Sequence, residues 1–459
     1  MNRSPQYHQH YGATTHVPLP VYYIAPAPPA PRRHRTRFIN AFLGAVLILW
    51  VTHHLFHRHH WYIHGRPGTG TGSGRDGDWE WDIHMDLQGI NHDAEGCAVW
   101  DHYSPSHRSD SIASNVTSRP HVRGQSKSDE GDKFTFSIPT SSPRYHFVSS
   151  GPIDKSTFQI VPVKSDKEQL VVEVEVIKDP EGEARVCALP SSGDSDVYGV
   201  GFYSPRNKHP YPPSSWPAFT VKVFLPITDK QQHLNALETR LGQFEHIFPD
   251  LSQSFDFERL DLAAANVPMT FEDVVAGTID VSNANAKIQG KLTGSSRVAV
   301  RNANAPVDAE VTLTGPGEII LDNANSPITS TIHLKSGDFY PRPDYHISLK
   351  NTNAPISATI ASQPLRSGFF LRGDTVMGDV DVHLNAAYEG GFKLSNLFRS
   401  PTVELTNKKD PSGEGRHRYL SFEKRGSTTI GHVAWGTEEH APGQVDLSTV
   451  GKSIGLYFD

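Results

Sequence analysis

The sequence is poor in the features that identify most enzymes and metalloproteins. Only two cysteines occur in 459 residues, and a cysteine-based metal site needs more ligands at close spacing. There is no HExxH, CxxC, EF-hand loop, nucleophile elbow or phosphate-binding loop with its lysine. We therefore predict no catalytic residue, no cofactor and no metal ligand from linear motifs.

Charge is modest, and its distribution is uneven. The formal net charge is −7, which does not match the basic surface that nucleic-acid binding requires, so we predict no nucleic-acid partner. Residues 1–75 contain no Asp or Glu. Within them, residues 1–37 are rich in Pro, Tyr and His, a composition that cannot form a packed core and that indicates a disordered tail.

Long apolar runs are absent except for one, at residues 38–57. This segment has 20 residues without Lys, Arg, Asp or Glu, which is enough for a helix to cross a bilayer, so we predict a transmembrane helix with the lipid bilayer as a partner. A cleaved signal peptide fits less well because 37 residues precede the run, and the prolines disfavour a mitochondrial leader. The four arginines just before the run predict a cytosolic N-terminus and an extracellular or lumenal C-terminal part.

The composition of residues 58–130 indicates a connecting region with a glycine-rich linker and polar loops. Histidines cluster where this region begins; their spacing could bind zinc, but without an acidic or Cys ligand an interfacial collar is the simpler interpretation. They are His53, His54, His57, His59, His60 and His64. Asn115 begins an Asn-Val-Thr glycosylation sequon, which is consistent with export. Cys97 and Cys187 could form a disulfide in an exported protein, or remain two isolated thiols.

A short phrase recurs at near-regular intervals between Leu262 and Ile356. Two clear copies are Val300-Arg-Asn-Ala-Asn-Ala-Pro-Val307 and Leu321-Asp-Asn-Ala-Asn-Ser-Pro-Ile328. The starts of the five copies are 19, 19, 21 and 28 residues apart, and apolar residues alternate before and after the copies. Such a period, with alternation on both sides of a corner, predicts short β-strands that stack repeat upon repeat.

The asparagines of these copies are predicted to shape the turns between strands. Asn tolerates positive φ and bonds to nearby backbone, and a following Pro cannot donate within a sheet, so it belongs at the first residue of the departing strand. Successive corners could then stack their amides into a hydrogen-bonded ladder. A ligand-binding or metal-binding row is the alternative, and turn chemistry is favoured because the turn already requires these residues. The predicted turn residues are Asn266, Asn283, Asn285, Asn302, Asn304, Asn323, Asn325, Asn351 and Asn353.

These corners resemble the putative-adhesin domain, a β-repeat domain of unknown function found in bacterial proteins and in fungal membrane-anchored ones. The resemblance covers about half the chain, from Phe219-Thr-Val-Lys-Val-Phe-Leu-Pro226 to Gly443-Gln-Val-Asp-Leu-Ser-Thr449. It implies a β-solenoid or twisted β-roll at a cell surface, and it carries no catalytic residues to transfer.

Alternating segments between Lys133 and Ile227 predict a smaller antiparallel β unit before the repeats. At Gln231–Phe248 a helix is arguable, and a strand fits nearly as well. The predicted fold class is all-β: a β-solenoid or β-roll of short repeats, preceded by the antiparallel unit, one transmembrane helix and a disordered tail. The predicted boundaries are 1–37 for the tail, 38–57 for the helix, 58–130 for the connecting region, 131–228 for the antiparallel unit and 229–459 for the solenoid.

Three functions fit this organisation. The favoured one is a non-catalytic, single-pass membrane protein that presents an adhesin-like solenoid to cell-wall polysaccharide or a surface protein. A carbohydrate-active enzyme on a solenoid scaffold is the alternative, because paired carboxylates leave no short motif. A cytosolic scaffold tethered to the membrane is the third, and a glycan on Asn115 would exclude it.

Overall fold

The protein is described here by a computed structural model, and its strands define an all-β fold. The described residues are 97–98, 123–124, 133–179, 184–189, 197–204, 216–336, 343–436 and 443–459. All of them belong to one compact unit, Leu87–Asp459. The predicted tail, the predicted transmembrane helix, the histidine cluster and Asn115 lie outside these residues. Within the described ranges, no helix is long and apolar enough to cross a membrane.

The strands before the repeats alternate buried and exposed side chains, as half-buried strands do. They are β1 (Cys97–Ala98), β2 (Arg123–Gly124), β3 (Lys133–Pro139), β4 (Arg144–Ser150), β5 (Ser156–Lys164), β6 (Gln169–Lys178), β7 (Arg185–Leu189), β8 (Val197–Tyr203) and β9 (Ala218–Ile227).

The later strands begin where a helix was arguable, and the structure resolves that ambiguity in favour of two strands. They are β10 (Gln232–Arg240), β11 (Phe244–Asp250), β12 (Phe255–Ala263), β13 (Met269–Asn283), β14 (Ile288–Asn302), β15 (Val307–Leu313), β16 (Gly317–Asn323), β17 (Ile328–Leu334), β18 (Asp344–Asn351), β19 (Ile356–Ser362), β20 (Gly368–Thr375), β21 (Val380–Leu384), β22 (Gly390–Asn396), β23 (Thr402–Leu405), β24 (Arg418–Arg425), β25 (Thr428–Trp435), β26 (Gly443–Thr449) and β27 (Ile454–Phe458).

Parallel pairing arranges most of these strands in two ladders. The first ladder has the order β8–β4–β10–β12–β13–β14–β16–β18–β20–β26–β22. The second ladder has the order β9–β5–β11–β13–β14–β15–β17–β19–β21–β27–β23. We define a rung as one strand of the first ladder, the corner that follows it and the next strand of the second ladder.

Two strands belong to both ladders. β13 and β14 each run for 15 residues, pairing in the second ladder through their first halves and in the first ladder through their second halves. From β15 onward, no described strand passes from the second ladder into the first. A turn separates the two strands instead, and Thr314-Gly-Pro-Gly317 is the first of these turns. Pro316 cannot donate to a ladder, and it lies in the break between the end of β15 at Leu313 and the start of β16 at Gly317.

Strand order departs from chain order at the distal end, which we define as β22–β27. The last strands of the chain, β26 and β27, are inserted between strands that precede them. β26 lies between β20 and β22, and β27 lies between β21 and β23. Beyond β22, the antiparallel strands β25 and β24 complete the sheet.

The strands before the repeats are not a purely antiparallel unit, contrary to the prediction for residues 131–228. β3, β6 and β9 are antiparallel neighbours, as are β7 and β8. However, β4 and β5 pair in parallel with β10 and β11. Within the unit itself, β4 is parallel to β8 and β5 to β9. β4 and β5 also cover strand edges of β10 and β11 that would otherwise be unpaired.

The buried faces of both ladders meet in one apolar core. Between β13 and β19 the core side chains are almost all aliphatic. The strands before β13, which we call the proximal end, contribute phenylalanines from β4, β5, β8, β9 and β11. There the ring of Phe158 packs 5.0 Å from that of Phe147 and 6.4 Å from that of Phe248. Each fully buried side chain of this size stabilises the fold by about 1.5–3 kcal/mol.

Candidate functional site

The first asparagine of each corner is buried and joins one rung to another. It is the last residue of a first-ladder strand, and its Nδ2 donates to a backbone carbonyl in the preceding corner. The bonds are Asn283 to Val267 (2.8 Å), Asn302 to Ala286 (2.8 Å), Asn323 to Ala305 (2.9 Å) and Asn351 to Ser326 (2.8 Å). We call these four residues the inner asparagines.

The side-chain oxygen of an inner asparagine can also close its own turn. Oδ1 of Asn283 accepts from the backbone N–H groups of Asn285 and Ala286, both at 3.3 Å. At Asn302 and Asn323 the same oxygen is buried without a hydrogen-bond partner among the described residues. At these two positions the side chain stabilises the corner through its Nδ2 hydrogen bond.

The second asparagine of each corner is exposed, and its amide bonds to the equivalent amide of the previous copy. Nδ2 of each residue donates to Oδ1 of the one before it, always at 2.7 Å. The members are Asn266, Asn285, Asn304, Asn325 and Asn353, which we call the outer asparagines. They form a continuous amide ladder on the surface, with spare donors and acceptors facing solvent.

Three further residues occupy the inner position, and sequence reasoning missed them. The register aligns Thr375 with Asn351, Thr449 with Thr375, and Asn396 with Thr449. Oγ1 of Thr375 donates to the carbonyl of Ala354, and Oγ1 of Thr449 to that of Gly378, so a hydroxyl replaces the amide. The copy at Asn396 was hidden because its proline follows five residues later instead of four.

The two cysteines are opposite one another on paired strands. Cys97 is the register partner of Cys187 in the antiparallel pair β1–β7, and Cys187 is in a disulfide. A bridge between these residues would tie the connecting region to the proximal strands. Non-reducing mass spectrometry of the intact chain tests that pairing.

A shallow groove of about 180 Å³ lies on the outer face of the first ladder. It crosses β16, β18, β20 and β26, and Ser348 is the smallest side chain that lines it. One side carries an aromatic pair: the rings of His346 and Phe370 stack 5.0 Å apart with an 8° interplanar angle. Phe370 is 43% exposed, so a large apolar ring faces solvent at this groove.

Four of the polar side chains that line the groove have a side-chain partner. Glu318 is ion-paired with Arg297, and Arg372 with Asp374. Nε2 of Gln444 donates to Oδ1 of Asp446 at 2.8 Å. These contacts fix the side chains in defined positions while leaving further acceptor sites on each carboxylate.

One carboxyl on β16, outside the residues that line the groove, has a raised pKa. Burial raises the pKa of Asp322, although Lys350 and Arg301 act to lower it. Asp322 is four residues after Glu318 on β16, so the two side chains are on the same outward face of the strand. Among the described residues, no group of three His, Cys, Asp or Glu side chains could hold a metal ion.

Sequence reasoning did not find the groove. A usable signal was Phe369-Phe370, because two adjacent large apolar residues in an alternating strand cannot both face the core. Phe369 is buried and Phe370 faces out.

Comparison with known proteins adds little to this geometry. No protein-family model matches the chain, and no curated protein matches it. A solved structure from Clostridium sporogenes, titled a putative cell adhesion protein, is similar over 72% of this chain and 99% of that one. Its sequence identity is 8% and its TM-score 0.17, so this likeness carries no argument about function.

Proposed function

We propose that the chain is a non-catalytic, single-pass membrane protein that presents a β-solenoid outside the cytosol for contact with a surface or cell wall. The observation that carries this proposal is the pair of parallel ladders, joined rung to rung by inner and outer asparagines. Eleven strands at about 4.8 Å spacing would give a rod of roughly 50 Å. Its polar outer face would be rigid, because each rung is bonded to the next.

The predicted membrane span and glycine linker supply the rest of the proposal. A linker rich in Gly and Ser behaves as a flexible tether, so it would let the rod reach beyond the headgroups while remaining attached. In this arrangement the groove on the first ladder faces outward and is accessible to a wall polymer or a neighbouring surface.

Protease protection on intact cells tests the topology. A tag after Asp459 should be removed by added protease while a tag before Met1 stays intact. The full chain in mild detergent should also co-sediment with isolated cell walls. Protection of the C-terminal tag would instead support the tethered scaffold.

A carbohydrate-active enzyme is the second candidate, and the raised pKa of Asp322 is what favours it. A general acid with a raised pKa next to a second carboxylate is the arrangement that glycosidases use. Release of reducing ends from wall polysaccharides, lost in Asp322→Asn, would establish this activity. We rank it second because Glu318, four residues before Asp322 on the same extended strand, is about 13 Å away, which exceeds the carboxyl spacing of glycosidases, and because Glu318 is ion-paired with Arg297.

A further inference from the structure

We infer that the groove across β16, β18, β20 and β26 binds a chain of uncharged polysaccharide, with Phe370 as the platform on which a sugar ring stacks. This inference rests on the proposed function and names the ligand class for it. The inference is based on three features of the groove: an exposed aromatic ring, polar groups with side-chain partners, and two ion pairs that leave Asp446 as the carboxylate without a cationic partner among these contacts.

The aromatic surface suits the apolar face of a pyranose ring. His346 and Phe370 are register partners on adjacent strands, and their rings are nearly parallel, with centroids 5.0 Å apart. Stacking on His346 covers one face of the Phe370 ring and orients it, so the other face, on the side of Gln444 in β26, is the one that a sugar ring would stack on. Pyranose rings present C–H groups on one face, and these pack against aromatic rings while the hydroxyls point sideways.

The polar groups flank that surface at the places where sideways hydroxyls would lie. Asp446 accepts one hydrogen bond from Gln444, and a carboxylate offers about four acceptor positions. The unused positions, together with the Gln444 carbonyl and the Ser348 hydroxyl, can bind sugar hydroxyls. Because these side chains are already positioned, binding loses less rotamer entropy.

The charge balance favours a neutral ligand over an ionic one. The basic Arg372 of the groove is paired with Asp374, and the acidic Glu318 with Arg297. A phosphate or an acidic polymer would meet the carboxylates of Glu318 and Asp446 beside the aromatic platform. A cationic peptide would have to displace existing ion pairs.

Affinity electrophoresis of the full chain in mild detergent tests the inference. Native gels would contain soluble β-glucan, mannan or xylan, with polygalacturonate as the anionic comparison. We expect retardation by at least one neutral polymer, and Phe370→Ala should weaken that affinity about tenfold, since 1.4 kcal/mol of stacking corresponds to tenfold. Phe370→Tyr should stay within about threefold of wild type, because the ring is kept.

Phe398→Ala is the matched control, because Phe398 is an exposed phenylalanine (72%) that does not line the groove. Its retardation should equal that of wild type. His346→Ala provides a second variant and should weaken binding in the same gels, even if Phe370→Ala lowers stability.

Two results would overturn the inference. One is retardation by polygalacturonate alone or by no polymer. The other is equal retardation of wild type and of well-folded Phe370→Ala. If both proteins still co-sediment with cell walls, the proposed function stands and only the groove assignment fails.

Discussion

The middle rungs, from β13 to β19, differ from the two ends in strand order, in core composition and in the residue that closes each corner. In the middle, strands follow chain order, the core is almost entirely aliphatic and an inner asparagine closes each corner. Before β13, Leu241 and Ala264 occupy the inner position; after β19, Thr375 on β20 and Thr449 on β26 do so. The corner amide is therefore one solution among several, and burial of the stacked strands is the constant.

Deleting residues 443–459 should lower the stability of the protein more than any of the substitutions described below. These residues form β26 and β27, which are interior members of both ladders although they come last in the chain. The deletion removes the buried side chains of Val445, Leu447, Ile454, Leu456 and Phe458. At about 2 kcal/mol each this is about 10 kcal/mol, comparable with the whole stability of a typical domain.

We expect the truncated chain to lose cooperative thermal unfolding, measured by circular dichroism, and to become sensitive to protease around β20–β23. Lys452→Ala is the control, because Lys452 is exposed in the turn between the same two strands. A truncated chain that melts like wild type would show that the distal strands fold independently of the inserted pair.

The difference between middle and ends also explains what the sequence could predict. A local phrase such as Leu321-Asp-Asn-Ala-Asn-Ser-Pro-Ile328 contains its own turn chemistry and alternation, so the middle strands and corners follow from local rules. The insertion of β26 between β20 and β22 depends on contacts about 50 or more residues apart in the chain, which no local pattern records. The groove shares this limitation, because Gln444 and Asp446 join His346 and Phe370 only through that insertion.

The proximal strands were missed in part for a related reason. The alternation of Leu170–Ile177 predicts a strand correctly, but alternation does not say whether a neighbour is parallel or antiparallel. β4 and β5 are parallel to β10 and β11 on one side and to the proximal strands β8 and β9 on the other. Pairing direction therefore depends on contacts between strands that are distant in the chain, which alternation does not record.

Protonation of His246 should destabilise the proximal end. Its ring is fully buried at the β10–β11 corner, where Nδ1–H donates to the carbonyl of Phe244 and Nε2 accepts from the Thr239 hydroxyl. Burial lowers the pKa of His246 from 6.5 to about 4. The unfolded chain therefore binds a proton more readily than the folded chain between these values.

Stability from this group is present above pH 6.5 and is lost as the pH falls to about 4, for a total of about 3 kcal/mol. Urea unfolding of wild type and His246→Gln between pH 7.5 and 4.5 measures it as the difference in slope. His417→Gln, at an exposed histidine, is the matched control substitution. Equal slopes for wild type and His246→Gln would contradict the assignment.

Gly290→Ala should damage the middle rungs next. Gly290 has φ 135° and lies beside the register shift between Phe271 and Val274. A Cβ there would meet the carbonyl oxygen of Phe271, so the substitution should cost about 2 kcal/mol or more.

Gly413→Ala in the distal loop separates strain from steric overlap. It also has positive φ, at 77°, but nothing lies within 4 Å of its Cβ position. We expect about 1 kcal/mol, measured by urea unfolding alongside Gly290→Ala. Equal losses would mean that the close approach of β13 and β14 contributes nothing.

The smallest expected effects on stability come from replacing the two asparagines of one corner, of which one is buried and the other is exposed. Asn302→Ala removes a buried bond to the Ala286 carbonyl and leaves that acceptor unpaired, so we expect a loss of about 1–2 kcal/mol. Asn304→Ala removes two amide bonds that water can replace on the exposed ladder, so its loss should be about 0.5 kcal/mol or less. Asn302→Thr should recover part of the first loss, since Thr375 and Thr449 bond at equivalent positions. If Asn304→Ala were the more damaging change in urea unfolding, the exposed amide ladder and not the buried bonds would hold the middle rungs together.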